Sequence, residues 1–459
     1  MDTSEAVPVN TQLDTKGLKP FLRFLIPSII GIILFLAPFP TDDGVTILFG
    51  IYSSWMQENF GFILLDIVVW ITIISVVGGV YFQIAKPDWQ ETHAVLNAIC
   101  STSVGWLAFR IAGAAIGIMV LYEVGPEIFR LDDTGTAMFK DVGIGFFIVL
   151  APACFLMPLL TEYGAMEFFG TFVAPAFRKL FRLPGRSAVD ATASFISANN
   201  VGVLVTGQQY RRGFYTGREA VTIATCFSVV SLPFALIIAD VSKISHMFFP
   251  WYMTAIVVCI VCAIITPRIP PISNIANTYK DGTDNSHSHD APADEPLLKR
   301  SYDTAVISAA KAPNPAKLAR DGTLMFIEQI FGVLGPMMAL ATVAAVIAFH
   351  SPAGEWISAP ISWLLSLLDV VEAPRVAVGF IFGFMDQFIP AVIAGDLASE
   401  QMRFVLAGLS LCQLIYMSET GLVMLRVGLP VTVWQLFILF IIRTIIAVPV
   451  LVIAAKILF

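Results

Sequence analysis

Charged residues are scarce in this chain, and their scarcity excludes most soluble protein classes. Only 13% of the 459 residues are Asp, Glu, Lys or Arg, whereas a soluble domain carries about 25%. Hydrophobic residues make up 57% of the chain, and they recur in runs of roughly 20 residues, which is typical of membrane helices. The sequence has no basic stripe of the kind that would indicate nucleic-acid binding. The composition therefore predicts an all-α membrane protein.

Enzyme motifs are also missing. The sequence contains no G-x-x-x-x-G-K-[ST], no G-x-S-x-G and no H-E-x-x-H, and it has only five histidines. An ATP-driven pump or an embedded protease therefore has little support, and we expect no cofactor. Six cysteines all lie in apolar runs, and Cys259 and Cys262 lack the second pair that a zinc site needs. We interpret them as small buried side chains.

Two distant stretches of the chain share a plan. The landmarks are Ala174-Pro175, Phe195-Ile196 and Glu219 in the first stretch, and Ala359-Pro360, Phe380-Ile381 and Glu400 in the second. The first stretch is flanked mainly by basic residues, and the second leans acidic. Because Lys and Arg stay on the cytoplasmic side of a bilayer, the opposite bias predicts an inverted-topology repeat. Many transporters place a midplane site on this plan.

The sequence predicts five segments in chain order. They are a cytoplasmic tail (1–20), a three-span scaffold (21–141), a first repeat (142–266), a cytoplasmic linker (267–323) and a second repeat (324–459). Each repeat is expected to hold a span, an interfacial helix, a re-entrant hairpin and two further spans. The total is about nine transmembrane helices plus two hairpins.

The predicted segments carry more detailed expectations. Unbroken helices are expected at 60–82, 95–121, 220–239 and 402–425, and the polar linker is expected to be largely disordered. We expect the bacterial inner membrane as the location, with the N-terminus and the linker in the cytoplasm.

Polar residues within the apolar runs are the candidate ligands. An ionisable group within a span costs about 2.5–3.5 kcal/mol on insertion scales, so it usually faces a cavity or a partner. The candidates for binding a substrate or an ion are Glu162, Ser197, Asn199, Asn200, Asp386, Gln387 and Glu419.

Each of these candidates has a structural alternative. Glu162 could be an interfacial cap, the two asparagines a self-satisfied turn, and Asp386 the partner of an Arg. Arg110 and Arg443 are interpreted as intramembrane salt-bridge partners or snorkelling side chains.

Three short motifs give the chain a family resemblance. They are Thr161-Glu162-Tyr163-Gly164, Leu183-Pro184-Gly185-Arg186-Ser187-Ala188 and Tyr215-Thr216-Gly217-Arg218-Glu219-Ala220. The set resembles the YjiH-like membrane proteins, which carry the nucleoside-recognition Gate domain. That domain is shared with concentrative nucleoside transporters and with the membrane part of ferrous-iron transport proteins. The resemblance implies a multi-pass inner-membrane transporter, but it assigns no nucleoside site to particular residues.

Our leading hypothesis is a secondary transporter of a small polar solute, nucleoside-like or amino-acid- or peptide-like, coupled to Na⁺ or H⁺. Both hairpin tips would meet near the midplane of the bilayer. The alternative is a non-transporting Gate-domain partner or sensor in the membrane. The expected partners are a small-molecule substrate and the lipid bilayer, and the sequence leaves homo-oligomerisation open.

Overall fold

A computed structural model describes most of the chain. The described residues are 18–35, 37–41, 44–85, 94–185, 187–196, 199–227, 230, 232–282, 296–367, 370, 372–418 and 420–459. Within these ranges, seven helices are long and apolar enough to cross a membrane, and the sheet is limited to one two-stranded pair. The predicted all-α membrane class is therefore confirmed. The exact number of spans stays a prediction.

The N-terminal region forms three long helices and one strand pair. Its elements are α1 (Leu18–Phe35), β1 (Pro38–Thr41), β2 (Gly44–Ile47), α2 (Leu48–Ala85), α3 (Ala94–Cys100) and α4 (Val104–Tyr122). Helix α2 begins well before the predicted position 60. The unbroken helix predicted at 95–121 is wrong, because the chain breaks between α3 and α4. Ser103 caps α4 by accepting a hydrogen bond from the N–H of Trp106 at 3.3 Å. Serine is one of the residues preferred at the N-cap position of a helix.

The first repeat consists mostly of short helices. Helix α5 (Gly135–Ala137) precedes it, and the π-helical turn Met138–Gly143 leads into it. Its elements are α6 (Ile144–Leu156), α7 (Pro158–Thr161), α8 (Ala165–Ala176), the π-helical turn Phe177–Phe181, α9 (Ser187–Ile196), α10 (Asn199–Arg211), α11 (Gly217–Cys226), α12 (Leu232–Val241) and α13 (Phe248–Ile265). Between α11 and α12 the helix is interrupted, so the unbroken helix predicted at 220–239 is wrong.

The second repeat follows the same order of elements. Its helices are α15 (Pro315–Gly332), α16 (Leu334–His350), α17 (Pro352–Leu367), α18 (Ala373–Phe382), α19 (Phe388–Asp396), α20 (Glu400–Cys412), α21 (Thr420–Arg426) and α22 (Val433–Leu458), and α14 (Leu297–Lys311) precedes them. Helices α20 and α21 are separate, so the unbroken helix predicted at 402–425 is also wrong. In each repeat a pair of short helices is followed by a broken helix and then by a long one.

Both short helix pairs are hairpins whose two ends lie together. In the second repeat, Arg375 at the start of α18 forms an ion pair with Asp396 at the end of α19, at 3.2 Å. In the first repeat, the hydroxyl of Tyr215 beyond α10 donates a short hydrogen bond to Asp190 in α9. Each polar contact therefore joins the beginning of one helix to the end of the next. Whether the hairpins are re-entrant in a bilayer stays a prediction.

The two repeats pack against each other reciprocally. Helix α10 of the first hairpin contacts α21, and helix α19 of the second hairpin contacts α12. In both cases the second helix of a hairpin meets the second half of the other repeat's broken helix. Such reciprocal contacts are what a two-fold relation between two repeats would produce. The inverted repeat stays a prediction.

The linker contains an ordered helix. Helix α14 packs against α1 and α8 and buries Ala305, Val306 and Ala309. The contact is close, since a Cβ atom built on Gly164 would lie 2.3 Å from the carbonyl oxygen of Ala305. The prediction that the linker is largely disordered is wrong for this helix. Its apolar residues recur at helical spacing, so it can bury one face.

Candidate functional site

The candidate site begins where two interruptions of the second repeat meet. One lies between α18 and α19, and the other between α20 and α21. The N–H of Met417 donates to the carbonyl of Phe384 at 2.8 Å, and the N–H of Ser418 donates to the carbonyl of Met385 at 3.0 Å. Helix ends leave backbone groups without intrahelical partners. Here two N–H groups of one segment bond to two carbonyls of the other.

Asp386 lies at this meeting point with 3% of its surface exposed. Its Oδ1 accepts a hydrogen bond from the N–H of Phe388 at 2.8 Å, and the side chain of Ser418 is a further hydrogen-bond partner. Within the described ranges no Lys, Arg or His forms an ion pair with Asp386. The alternative, in which Asp386 pairs with an Arg, is therefore not seen among the described residues. A buried carboxylate without a counter-charge is costly.

A small cavity of about 40 Å³ adjoins Asp386. Its walls come from α4, α12 and the second repeat, and they consist of Trp106, Phe234, Gln329, Val333, Met337, Leu340, Asp386, Gln387, Phe388 and Ser418. One water molecule has a share of liquid volume of about 30 Å³, while a pocket for a small-molecule ligand measures about 300–1,000 Å³. The cavity as described therefore has room for about one water molecule and is too small for a small-molecule ligand.

Gln413 holds the elements around the site together. Its side chain is fully buried, and Nε2 donates to the carbonyl of Phe380 and to Oγ1 of Thr444, both at 3.0 Å. These two bonds tie the end of α18 to α22. The segment between α18 and α19, which carries Asp386, is thus held in position by Gln413 from the segment between α20 and α21.

Arg443 and Arg110 stabilise interrupted helices. Arg443 is fully buried, and it donates to the carbonyls of Cys412 at 2.7 Å and Gln413 at 3.1 Å, at the end of α20. Arg110 donates to the carbonyl of Ile99 in α3 at 2.9 Å. A cation near a helix C-terminus interacts favourably with the helix dipole. Within the described residues neither arginine forms an ion pair, so their contacts there are to backbone carbonyls and not to carboxylates.

Among the described residues, two of the predicted site residues line this cavity, Asp386 and Gln387. Glu162 is exposed directly after α7, and it does not line the cavity. Asn199 and Asn200 begin α10, but their side chains are outside the described part of the chain. Ser197 and Glu419 are outside the described residues altogether.

Sequence reasoning missed the aromatic walls of the cavity. Trp106, Phe234 and Phe388 lie in apolar runs, where an aromatic residue has no distinguishing pattern. Gln413 had a usable signal, because an amide within an apolar run needs a hydrogen-bond partner. All six cysteines, Cys259 and Cys262 included, are buried and outside disulfides, as interpreted from the sequence.

Comparison with known proteins gives the chain a family. Residues 144–245 match the Gate family model, described as nucleoside recognition. The chain is 39% identical over 441 residues to an uncharacterized protein of Alkalihalophilus pseudofirmus, and the match covers 95% of each chain. The chain therefore belongs to the family of that protein, as a multi-pass membrane protein with a nucleoside-recognition Gate domain.

One solved structure is similar over most of the chain. It is a variant of CNTnw in an outward-facing state, and the similarity covers 88% of this chain and 97% of that one. The sequence identity is 12% and the TM-score is 0.37. A likeness of this size says nothing about what the present protein binds.

Proposed function

We propose that this protein is a secondary transporter of a nucleoside-like solute, and that the cavity beside Asp386 is its binding site in a closed state. The observation that carries the proposal is the buried carboxylate of Asp386 at the junction of two interrupted helices. The Gate match over residues 144–245 supports the nucleoside-like class. An amino-acid-like or peptide-like solute is the second substrate class that the polar groups could bind.

The chemistry of the cavity suits a nucleoside. Trp106, Phe234 and Phe388 offer aromatic faces, and stacking a base on such a face contributes about 1–3 kcal/mol. The amides of Gln329 and Gln387 can each donate and accept hydrogen bonds with a base edge. The carboxylate of Asp386 can accept hydrogen bonds from sugar hydroxyls or from a ring N–H.

Asp386 is also the proposed point of ion coupling. No basic side chain in the described part of the chain neutralises it, and an unpaired charge in the bilayer interior is costly. Binding Na⁺ or taking up H⁺ would remove that cost. A cation bound with the substrate would then drive both across the membrane together.

Transport requires the cavity to enlarge on one side at a time. Trp106 belongs to the proposed scaffold (21–141), and its Nε1 donates to the carbonyl of Gly332 at 2.8 Å. The remaining walls come from the two proposed repeats (142–266 and 324–459). We propose that the repeats, with hairpins entering a bacterial inner membrane from opposite faces, rock against this scaffold. The N-terminus and the linker would be cytoplasmic.

Uptake into proteoliposomes tests this proposal. Purified protein would be assayed with radiolabelled nucleosides, amino acids and dipeptides, each with and without a Na⁺ gradient and a pH gradient. We expect saturable nucleoside uptake that one of the two gradients stimulates. Background uptake for every class under every gradient would contradict transport and favour the non-transporting partner or sensor.

A further inference from the structure

A second cavity, of about 460 Å³, lies at one end of the first repeat. It is bounded by the turn after Phe177–Phe181, by the first turns of α11, and by the 3₁₀ turns Thr266–Arg268 and Ile272–Asn274. Arg268 ends the membrane-spanning stretch Ser245–Arg268. The cavity therefore lies at one end of a candidate membrane-spanning helix, away from the residues that surround Asp386.

Three arginines line this cavity, namely Arg182, Arg218 and Arg268. Two of them are positioned by backbone carbonyls. Nε of Arg218 donates to Ile275 at 2.9 Å, and Nη2 of Arg268 donates to Leu180 at 2.7 Å. A guanidinium has five N–H donors. Nη1 of Arg268 also donates to the carbonyl of Ile264. These bonds hold each group in place and leave at least three of its five donors for a ligand.

Positive groups outnumber acidic ones among the described lining residues. Glu219 also lines the cavity, so three arginines stand against one glutamate there. Its Oε2 accepts the N–H of Thr216 at 2.8 Å in the cap of α11. None of the three arginines forms an ion pair within the described residues. A surplus of positive charge in a concave site attracts anions.

Neutral hydrogen-bonding groups complete the lining. Thr222, Ser273 and Asn277 stand beside the arginines. Oδ1 of Asn277 accepts the hydroxyl of Thr216 at 2.8 Å, so the side chain of Asn277 has its NH₂ group left for a ligand. Hydroxyl, amide and guanidinium donors together match a ligand whose surface consists of oxygen acceptors.

We infer that this cavity binds a phosphate group. Guanidinium groups bind phosphate through two parallel hydrogen bonds, which a single ammonium cannot make. Two sources have this chemistry. One is the headgroup of an anionic phospholipid, since basic pockets at membrane boundaries bind such headgroups, and the other is a soluble phosphate compound. The inference does not depend on the proposed transport function.

Thermal unfolding of the purified full-length protein in detergent distinguishes the sources. The added probes are phosphatidylglycerol, phosphatidylcholine and inorganic phosphate, all at one ionic strength. A rise in melting temperature with phosphatidylglycerol alone assigns the site to a lipid headgroup. A rise with inorganic phosphate assigns it to a soluble ligand. No rise with either anionic probe, or an equal rise with phosphatidylcholine, would overturn the inference.

Paired variants separate this site from general surface charge. Arg182→Gln with Arg268→Gln removes two cavity charges, and Arg211→Gln with Arg212→Gln removes two exposed charges at the end of α10. We expect the apparent affinity for the active probe to fall about tenfold or more in the cavity variant, because each charge-assisted bond contributes at least that factor. The control variant should keep its affinity. Equal weakening in both variants would contradict a built site. If the double cavity variant fails to fold, Arg182→Gln alone, which retains the bond between Arg268 and Leu180, is the deciding variant.

Discussion

Gly383 and Gln413 are in direct contact at the centre of the second repeat. A Cβ atom built on Gly383 would lie 2.2 Å from Oε1 of Gln413. Gln413 cannot move away without losing its hydrogen bonds to Phe380 and Thr444. The absence of a side chain at Gly383 therefore allows the two interrupted segments to approach, and their approach places Asp386 beside the cavity.

Gly383→Ala should destabilise the protein. We expect a loss of about 1–3 kcal/mol, since the added methyl group overpacks a buried contact, together with loss of any transport activity. Unfolding of the detergent-purified protein would measure it. Gly61→Ala is the matched control, because nothing lies within 4 Å of a Cβ atom at that position of α2. That control should be neutral or stabilising by up to about 1 kcal/mol. Equal melting temperatures for the two variants would refute the contact.

Asp386→Asn should remove the coupling to a cation while the fold persists. The amide oxygen of Asn can still accept the N–H of Phe388, so folding retains its contact, but the negative charge is gone. We expect uptake to lose its dependence on Na⁺ or pH and to fall about tenfold or more. Uptake at graded Na⁺ concentrations and pH values is the measurement.

A matched control tests whether any lost carboxylate has this effect. Asp396→Asn removes a half-exposed carboxylate paired with Arg375, a kind of pair that contributes about 0–1 kcal/mol. Its uptake and cation dependence should match the wild type. An Asp386→Asn protein with unchanged cation dependence would show that Asp386 is not the coupling site.

Arg443→Lys should destabilise the interruption after α20. The guanidinium of Arg443 reaches two carbonyls, Cys412 and Gln413, and an ammonium on a different stem cannot reproduce both contacts. We expect a loss of about 1.5–3 kcal/mol for the bond to a charged group that Lys does not remake. Thermal unfolding measures the change, and Arg375→Lys on the surface serves as the control. A melting temperature as high as that of the control would rule out this role for Arg443.

Some of this architecture could be predicted from the sequence because lipid imposes a strong constraint. Runs of apolar residues have few structural options in a bilayer, and they identified the membrane class. The cost of a charge in such a run identified Asp386, since a carboxylate is placed there only against a partner or a cavity. Both inferences rest on a free-energy cost that depends on a single residue or a single segment, so the sequence is enough to recognise it.

The interruption after α20 and the aromatic walls could not be predicted in the same way. The break between Cys412 and Thr420 depends on backbone hydrogen bonding, which does not enter hydropathy. Trp106 and Phe234 reach the cavity from other helices, so their role depends on tertiary packing. The burial of Ala305 in α14 likewise depends on its contact with Gly164, which has no local signal.

The hairpin topology can be tested by cysteine labelling, and the native cysteines favour the experiment because all six are buried. Arg182→Cys and Arg212→Cys place exposed thiols on either side of the first hairpin, and Arg375→Cys and Asp396→Cys do so for the second. If both hairpins are re-entrant from opposite faces, an impermeant maleimide should label the second pair in intact cells and the first pair only after permeabilisation. The loss of the ion pair between Arg375 and Asp396 should cost at most about 1 kcal/mol, so these variants should fold.

Labelling of the two members of one pair from opposite sides would mean that this hairpin crosses the membrane. Labelling of all four from one side would mean that the repeats are parallel, and the proposed alternation between two faces would then lose its structural basis.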